Sequence, residues 1–209
     1  MSVNFFFQLR TTALLMACAC LTAVASAAPV VYTDRTAFMA AATGTTTVDF
    51  EGETVFTSRA GSFSVSGTTF TSDIDRMFTF DAGFYTPALP SDYLHLNDLG
   101  THDIDISAAG MTAIGFDFGT LNGTFGTQTS VTVLDSLGNS YNITAPGQPA
   151  LSFFGLTSDV VLTSVRVTGE LLVLDNVTTG SAAAVPLPGS LALVLLGLAG
   201  VGLRQHRRA

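Results

Sequence analysis

Paired carboxylates are the first residues in this chain with chemistry to offer. Asp73 and Asp75, and again Asp103 and Asp105, stand two apart around an isoleucine, so in an extended strand both members of a pair point the same way. Two carboxyl groups held at a suitable separation can divide acid and base roles on a glycosidic bond. The same alternation also makes an amphipathic strand, with Ile74 or Ile104 turned inward and the aspartates in water, and this plainer reading carries more weight. His102 adjoins Asp103, yet His95 is the only other histidine outside the C-terminal tail, and no zinc-type His-x-x-x-His or His-x-Glu spacing occurs. A Gly-x-Ser-x-Gly nucleophile elbow is missing. The run Gly119-Thr120-Leu121-Asn122-Gly123-Thr124-Phe125-Gly126 lacks the lysine and the strand-to-helix setting of a phosphate cradle, and reads as a loop between sheets.

The charge balance narrows the partners. All sixteen acidic residues lie between Ala28 and Ala183, against Arg35, Arg59, Arg76 and Arg166 and no lysine, a net −12 for the body. Such a surface lacks the basic footprint that nucleic acid requires, so no nucleic-acid partner is expected. It suits an extracellular protein with carboxylates to spare for cations. Aromatic residues cluster in one acidic, proline-bearing segment: Phe78, Phe80, Phe84, Tyr85 and Tyr93. Rings beside polar donors can stack on sugar faces, which makes Phe84, Tyr85 and Tyr93 candidate glycan contacts. The alternative is that Phe78 and Phe80 are core and the tyrosines pack at an edge. Tryptophan, the largest stacking surface, is absent.

The elements that must position these residues are mostly strands. Segments rich in β-branched and aromatic residues recur between Gly, Pro, Asn and Ser at 30–32, 46–51, 62–66, 68–71, 77–80, 93–96, 104–107, 112–118, 130–135, 140–144, 151–154, 160–168 and 171–178. Ile114, Phe116 and Phe118 alternate with Gly115, Asp117 and Gly119, so one face is apolar and the other is not. Short strands at this spacing predict an all-β, two-sheet sandwich. One short helix is expected near 34–42, capped by Asp34 and burying Phe38 with Ala41 or Ala42. Asp135-Ser136-Leu137-Gly138-Asn139 carries the turn chemistry of a hairpin.

Both ends read as handling signals. Residues 1–27 have the form of a secretory signal peptide: Arg10, an apolar stretch over 11–24, and the small-residue cleavage site Ala25-Ser26-Ala27 for signal peptidase. Cys18 and Cys20 would leave with it, so the mature chain has no thiol for a disulfide or a nucleophile. Leu15-Met16-Ala17-Cys18 also has a faint lipobox form. At the other end stand Val185, Pro186, Leu187, Pro188, Gly189 and Ser190, then an apolar run over 191–203, then Arg204, Gln205, His206, Arg207 and Arg208. The prolines stop any arriving helix. A helix can begin near Gly189, and counted from the flanking Leu187 to Leu203 the apolar stretch is near the lower limit of about 17 residues for a membrane-spanning helix. Positive charge stays cytoplasmic, which places the body outside. The expected organisation is a signal peptide at 1–27, an ectodomain at 28–178, a linker at 179–184 and a sorting and anchor segment at 185–209.

Val-Pro-Leu-Pro-Gly-Ser, an apolar helix and a terminal arginine cluster resemble the PEP-CTERM sorting signal of exopolysaccharide-producing Gram-negative bacteria. The resemblance implies an exosortase partner that processes the tail, delivery to the cell surface or extracellular matrix, and a setting rich in polysaccharide. Leu187 departs from the usual glutamate between the prolines. In the body, Val31-Tyr32-Thr33-Asp34-Arg35-Thr36-Ala37-Phe38, Phe50-Glu51-Gly52, Ile114-Gly115-Phe116-Asp117-Phe118-Gly119 and Asp175-Asn176-Val177 are similar to ectodomains found ahead of such tails. The second and last of these are also similar to the ends of jelly-roll carbohydrate-binding modules. That similarity implies a non-enzymatic jelly-roll-like sandwich and a structural Ca²⁺ held by Glu51 and Asp175 where the terminal strands meet. Calcium takes six to eight hard oxygens, many from backbone carbonyls, so two carboxylates are a reasonable core for such a site. A second reading leaves both as solvated strand-end residues.

Overall fold

The alternation of apolar and polar residues produces two antiparallel sheets packed face to face. The computed structural model describes residues 28–53, 58–59, 61–85, 89–96, 100–121 and 129–184. The expected signal peptide and the tail from Val185 onward lie outside these residues. The described elements are β1 (Val30–Tyr32), α1 (Arg35–Ala41), β2 (Ala42–Val48), β3 (Ser62–Val65), β4 (Thr68–Ser72), β5 (Met77–Phe80), β6 (Tyr93–Leu96), β7 (Thr101–Ala108), β8 (Ala113–Thr120), β9 (Thr129–Asp135), β10 (Ser140–Ala145), β11 (Ser152–Thr157), β12 (Val165–Glu170) and β13 (Leu172–Ala182). The first sheet runs β1-β11-β8-β13-β6-β5, with β2 also paired to β13, and the second runs β10-β9-β12-β7-β4-β3.

Between the sheets, Ile114, Phe116, Phe118, Phe154 and Leu156 meet Ile104, Ile106, Val131, Val133, Val165 and Val167 in one apolar core. Each large side chain fully removed from water contributes roughly 1.5–3 kcal/mol. Asp103 and Asp105 stand on the solvent side of β7, where both pair with Arg166, while Ile104 and Ile106 are buried. This is the amphipathic strand rather than an acid/base pair. Asp73 and Asp75 form no such strand: β4 ends at Ser72, and the two follow it in a bend.

The expected hairpin joins β9 to β10 in antiparallel register. Asp135, 2% exposed, organises its turn by accepting the N–H groups of Leu137 and Asn139, both at 2.9 Å. Its other oxygen takes Asn139 Nδ2 at 2.9 Å and the Tyr141 hydroxyl at 3.2 Å. Burial pushes the Tyr141 phenol up to about 12, and the charge and hydrogen bond of the Asp135 carboxylate push the same way.

Several boundaries differ from expectation, three of them for a visible reason. Residues 160–164 are not strand, because their backbone serves other loops: Leu162 N–H bonds Met111 O at 2.7 Å and Thr163 N–H bonds Ser136 Oγ at 2.9 Å. β2 starts directly at the end of α1 and stops at Val48, where Phe50 takes a positive φ of 59°. Residues 179–182 are not a linker: β13 continues to Ala182, with Ser181 opposite Thr43 and Ala182 opposite Ala42 on β2. Among the described residues, no helix is long and apolar enough to cross a membrane.

Helix α1 forms where its sequence signals place it. Asp34 Oδ1 accepts the Ala37 N–H at 2.7 Å as the N-cap. Phe38, fully buried, lies on the outer face of the first sheet over Gly115 and Gly155. A Cβ at Gly155 would sit 2.8 Å from Phe38 Cδ2, and one at Gly115 would sit 2.9 Å from Phe38 Cε1. The absent side chains are the seat of the helix.

Candidate functional site

The outer face of the first sheet carries the chemistry, because two covers shield it from water and leave a polar cluster between them. One cover is α1, whose Phe38 packs with Tyr32, Phe153, Ala42 and Ala113. The other is the connection between β5 and β6. Here Phe80, Leu89, Tyr93 and Val173 form a second small core, with Phe78, Tyr85, Leu121 and Leu151 packed against it.

Between the covers, β13 and β8 place Asp175 opposite Asp117. The ladder then shifts, so that Asn176 and Val177 together stand opposite one residue of β8. Asn176 absorbs the bulge at φ 49°, a left-handed conformation that asparagine tolerates better than most residues. Its amide side chain donates to Asp117 Oδ2 and Asp175 Oδ2, both at 3.0 Å. Arg35, at the start of α1, reaches Asp117 at 3.0 Å and donates to the Asn176 carbonyl at 3.2 Å. The guanidinium therefore pairs with Asp117, while Asp175 relies on other partners.

Asp175 is fully buried. It accepts the Asn176 backbone N–H at 2.6 Å and the Ser91 hydroxyl. The residue after Ser91, Asp92, donates its backbone N–H to Glu51 Oε1 at 3.0 Å. Glu51 and Asp175, distant in sequence, thus grip consecutive residues of one segment. Burial pushes the Asp175 carboxyl up to about 6, the charges of Asp117 and Glu51 push the same way, and the hydrogen bonds from Ser91 and Asn176 oppose the rise. A buried carboxylate facing two others, with Arg35 engaged by Asp117, is an environment a hard cation would relieve. Among the described residues, no group of three His, Cys, Asp or Glu side chains forms a ligand cluster, so backbone oxygens would have to complete any shell.

The aromatic candidates divide. Tyr93 is 1% exposed and packed against Phe80, so its ring has no face to offer a ligand; this corrects the expectation of a glycan contact. Phe80 is likewise core. Phe84 is 43% exposed, stacked on Phe80 at 4.7 Å and set edge-on to Tyr85 at 4.8 Å. It is an open ring on a rigid aromatic footing, with half-buried Tyr85 beside it.

Sequence reasoning missed His95. It is fully buried beneath Phe80 and Tyr85. Its Nδ1 lies 2.9 Å from the Leu172 carbonyl, which can only accept, so the proton sits on Nδ1 and Nε2 is bare. Among the described residues, Nε2 and the Tyr93 hydroxyl have no hydrogen-bond partner. Burial pushes the imidazole down to about 4, against the Leu172 bond. The strand run Tyr93-Leu94-His95-Leu96 gave no warning of this, since a histidine is ordinarily half-exposed on such a pattern.

Comparison with known proteins bears unequally on the body and the tail. No curated protein matches the chain. Among solved structures, TmCBM61 in complex with β-1,4-galactotriose is similar at 17% identity and a TM-score of 0.36, over 64% of this chain and 94% of that one. A family 29 carbohydrate-binding module, CBM29-2, is similar at 12% identity and a TM-score of 0.34, over 69% and 98% of the two chains. A likeness this loose transfers no ligand. The C-terminus is different in kind: residues 184–208 match the PEP-CTERM protein-sorting motif, so the chain ends in the tail of an exported, surface-directed protein.

Proposed function

We propose that the chain is delivered by its tail to an exosortase, processed there, and displayed as a non-enzymatic, polysaccharide-associated β-sandwich at the cell surface or in the extracellular matrix. The sorting motif at 184–208 is the observation that carries this reading. Val185, Pro186, Leu187, Pro188, Gly189 and Ser190 would form the recognition stretch, and Arg204, Arg207 and Arg208 would hold the end of the tail in the cytoplasm before processing. Mass spectrometry of the surface protein from the producing cell is expected to find the arginine cluster removed. A surface population that still carries Arg207 and Arg208 would reduce the tail to a plain membrane anchor.

The polysaccharide role rests on the setting that the sorting signal implies and on Phe84, an exposed ring on a fixed base. Phe84→Ala removes a partly exposed ring whose aromatic contacts are worth about 0.5–1.5 kcal/mol each, so it is expected to stay folded with a Tm only a few degrees lower and to lose most of its retention on immobilised producer exopolysaccharide. Equal retention of the two proteins would remove Phe84 from the binding face. Turnover of a sugar panel by the purified body would favour a hydrolase instead.

The acidic cluster supports a second element, a structural Ca²⁺ between Glu51 and Asp175, favoured by the burial of Asp175 among like charges. A ligand at a hundred times its Kd stabilises the folded state by about 2.7 kcal/mol. For a domain of this size that is a rise of about 5–10 °C. Calcium added to EDTA-treated protein is therefore expected to raise Tm, and Asp175→Asn or Glu51→Gln to abolish the rise. An unchanged Tm would leave both residues as hydrogen-bond acceptors only.

A further inference from the structure

Large apolar side chains are exposed on this domain mainly at one end. Val30, Leu137, Val160 and Val161 are 51%, 42%, 39% and 50% exposed. Leu134, Val31 and Met39, also exposed, stand within a few residues of that end, and Phe84 is the exception among the described residues. The four come from three separate parts of the chain, and backbone hydrogen bonds bring those segments together. Ser136 N–H bonds Ser164 O at 3.1 Å, Leu162 N–H bonds Met111 O at 2.7 Å, and Ser158 N–H bonds Thr112 O at 2.8 Å. Val30 pairs with Thr157 in the β1–β11 ladder.

The same end is where the chain leaves the domain. Thr112 N–H bonds Gly180 O at 3.0 Å, and Ala182 N–H bonds Thr112 Oγ1 at 2.7 Å. Six residues, 185–190, separate Ala184 from the apolar run that starts at Leu191. Fully extended they span at most about 20 Å. A bilayer that takes up the run from Leu191 therefore lies within that reach of Ala184, off the same end of the domain that carries Leu137, Val160 and Val161.

We infer that this end is a membrane-docking face, with the bilayer surface as its occupant while the tail is inserted. The inference rests on the reading of 191–203 as a membrane segment. Among residues 135–139 and 158–164 the charged side chains are Asp135, which is buried, and Asp159; there is no basic residue. Attraction to anionic headgroups is thus not the source of contact. Aliphatic side chains entering the boundary between headgroups and acyl chains are. Docking would hold the short link 185–190 against the membrane plane and turn the opposite end of the sandwich outward.

The test uses the tail-bearing chain with Cys18→Ser and Cys20→Ser, labelled with an environment-sensitive fluorophore at one introduced cysteine and reconstituted in phosphatidylethanolamine/phosphatidylglycerol vesicles containing nitroxide lipid. Labels at Leu137→Cys and Val161→Cys are expected to be quenched several-fold more than one at Thr101→Cys, at the start of β7 on the other end. The difference should persist at high salt and collapse when Val160→Asp is added to the Leu137→Cys chain. A label at Gly197→Cys reports the tail. If it is quenched while 137 and 161 match 101, the domain is anchored but undocked, and the inference is overturned alone. If 197 is also unquenched, the membrane reading of the tail fails and the inference with it. Blue-shifted emission at 137 and 161 without lipid quenching would mean a second copy covers the face, which also overturns it.

Discussion

Phe38→Ala is expected to lower the stability of the ectodomain by about 3–5 kcal/mol, the range for emptying a fully buried phenylalanine site. The ring has no exposed surface and is the buried residue of α1. Its seat is formed by Gly115 and Gly155, with Tyr32 and Phe153 at its edges. A short helix has little stability of its own, so without this contact α1 should detach and take Arg35 from Asp117. The seat can be tested from the other side. Gly155→Ala puts a methyl 2.8 Å from Phe38 Cδ2 and 2.9 Å from Phe153 Cε1, which as overpacking costs typically about 1–3 kcal/mol. In a Phe38→Ala background a large part of that cost should vanish, because the contacts with Phe38 are gone and Phe153, which packs on that ring, can shift into the vacated space. Urea unfolding of the four proteins gives the cycle. Strict additivity would show that the helix is not held by this contact, since residues that touch are the ones that couple.

The second large effect is a pair of opposed pH dependences. Asp175 titrates near 6 when folded, against an ordinary value of 3.8, so the folded state holds an extra proton between those limits. Its contribution to stability is present in full below about 4 and is lost as pH rises through 6. His95 titrates near 4 when folded, against 6.5, so the unfolded state holds the extra proton. Its contribution is present above about 6.5 and is lost as pH falls through 4. Each displacement is worth about 3 kcal/mol at 1.36 kcal/mol per pH unit. The wild type should therefore change less between pH 4 and 6.5 than either single variant, in the presence of EDTA to keep cations out. Asp175→Asn should gain about 3 kcal/mol over that interval relative to wild type, and His95→Gln should lose about as much. The slopes decide, because the absolute stabilities also carry the cost of altered hydrogen bonds. Three parallel profiles would mean that neither group is as buried in solution as in the structure.

Local features were legible in the residues themselves. Asp34 as a cap, Phe38 as the buried point of a helix, the Asp135 to Asn139 turn and the inward face of Ile114, Phe116 and Phe118 are each dictated by neighbours in sequence. Strand ends were legible only where a turn residue marks them. Val160 to Ser164 has strand composition, yet bonds from Met111 and Ser136 claim its backbone; Thr179 to Ala182 has linker composition, yet β2 offers it a partner. Glu51 and Asp175 could be nominated together, but not Asp117, Arg35, Ser91 or Asn176. Their meeting depends on a ladder register and a bulge that no periodicity encodes. Phe84 and Tyr93 are alike as sequence. The fold separates them, because Tyr93 starts a strand against the second small core while Phe84 lies outside it.

The position of β13 has a mechanical consequence. The strand that leads to the sorting tail is not at an edge: β8 flanks it on one side, and β2 and β6 share the other. Hydrogen bonds in antiparallel ladders lie across the strand direction. A pull transmitted through residue 184 runs along β13 and strains the bonds of both flanks together, in shear, instead of peeling them one at a time as it would from an outer strand. Under the proposed function, traction between a tethered tail and a polymer held by the domain would enter the sandwich along its most resistant line.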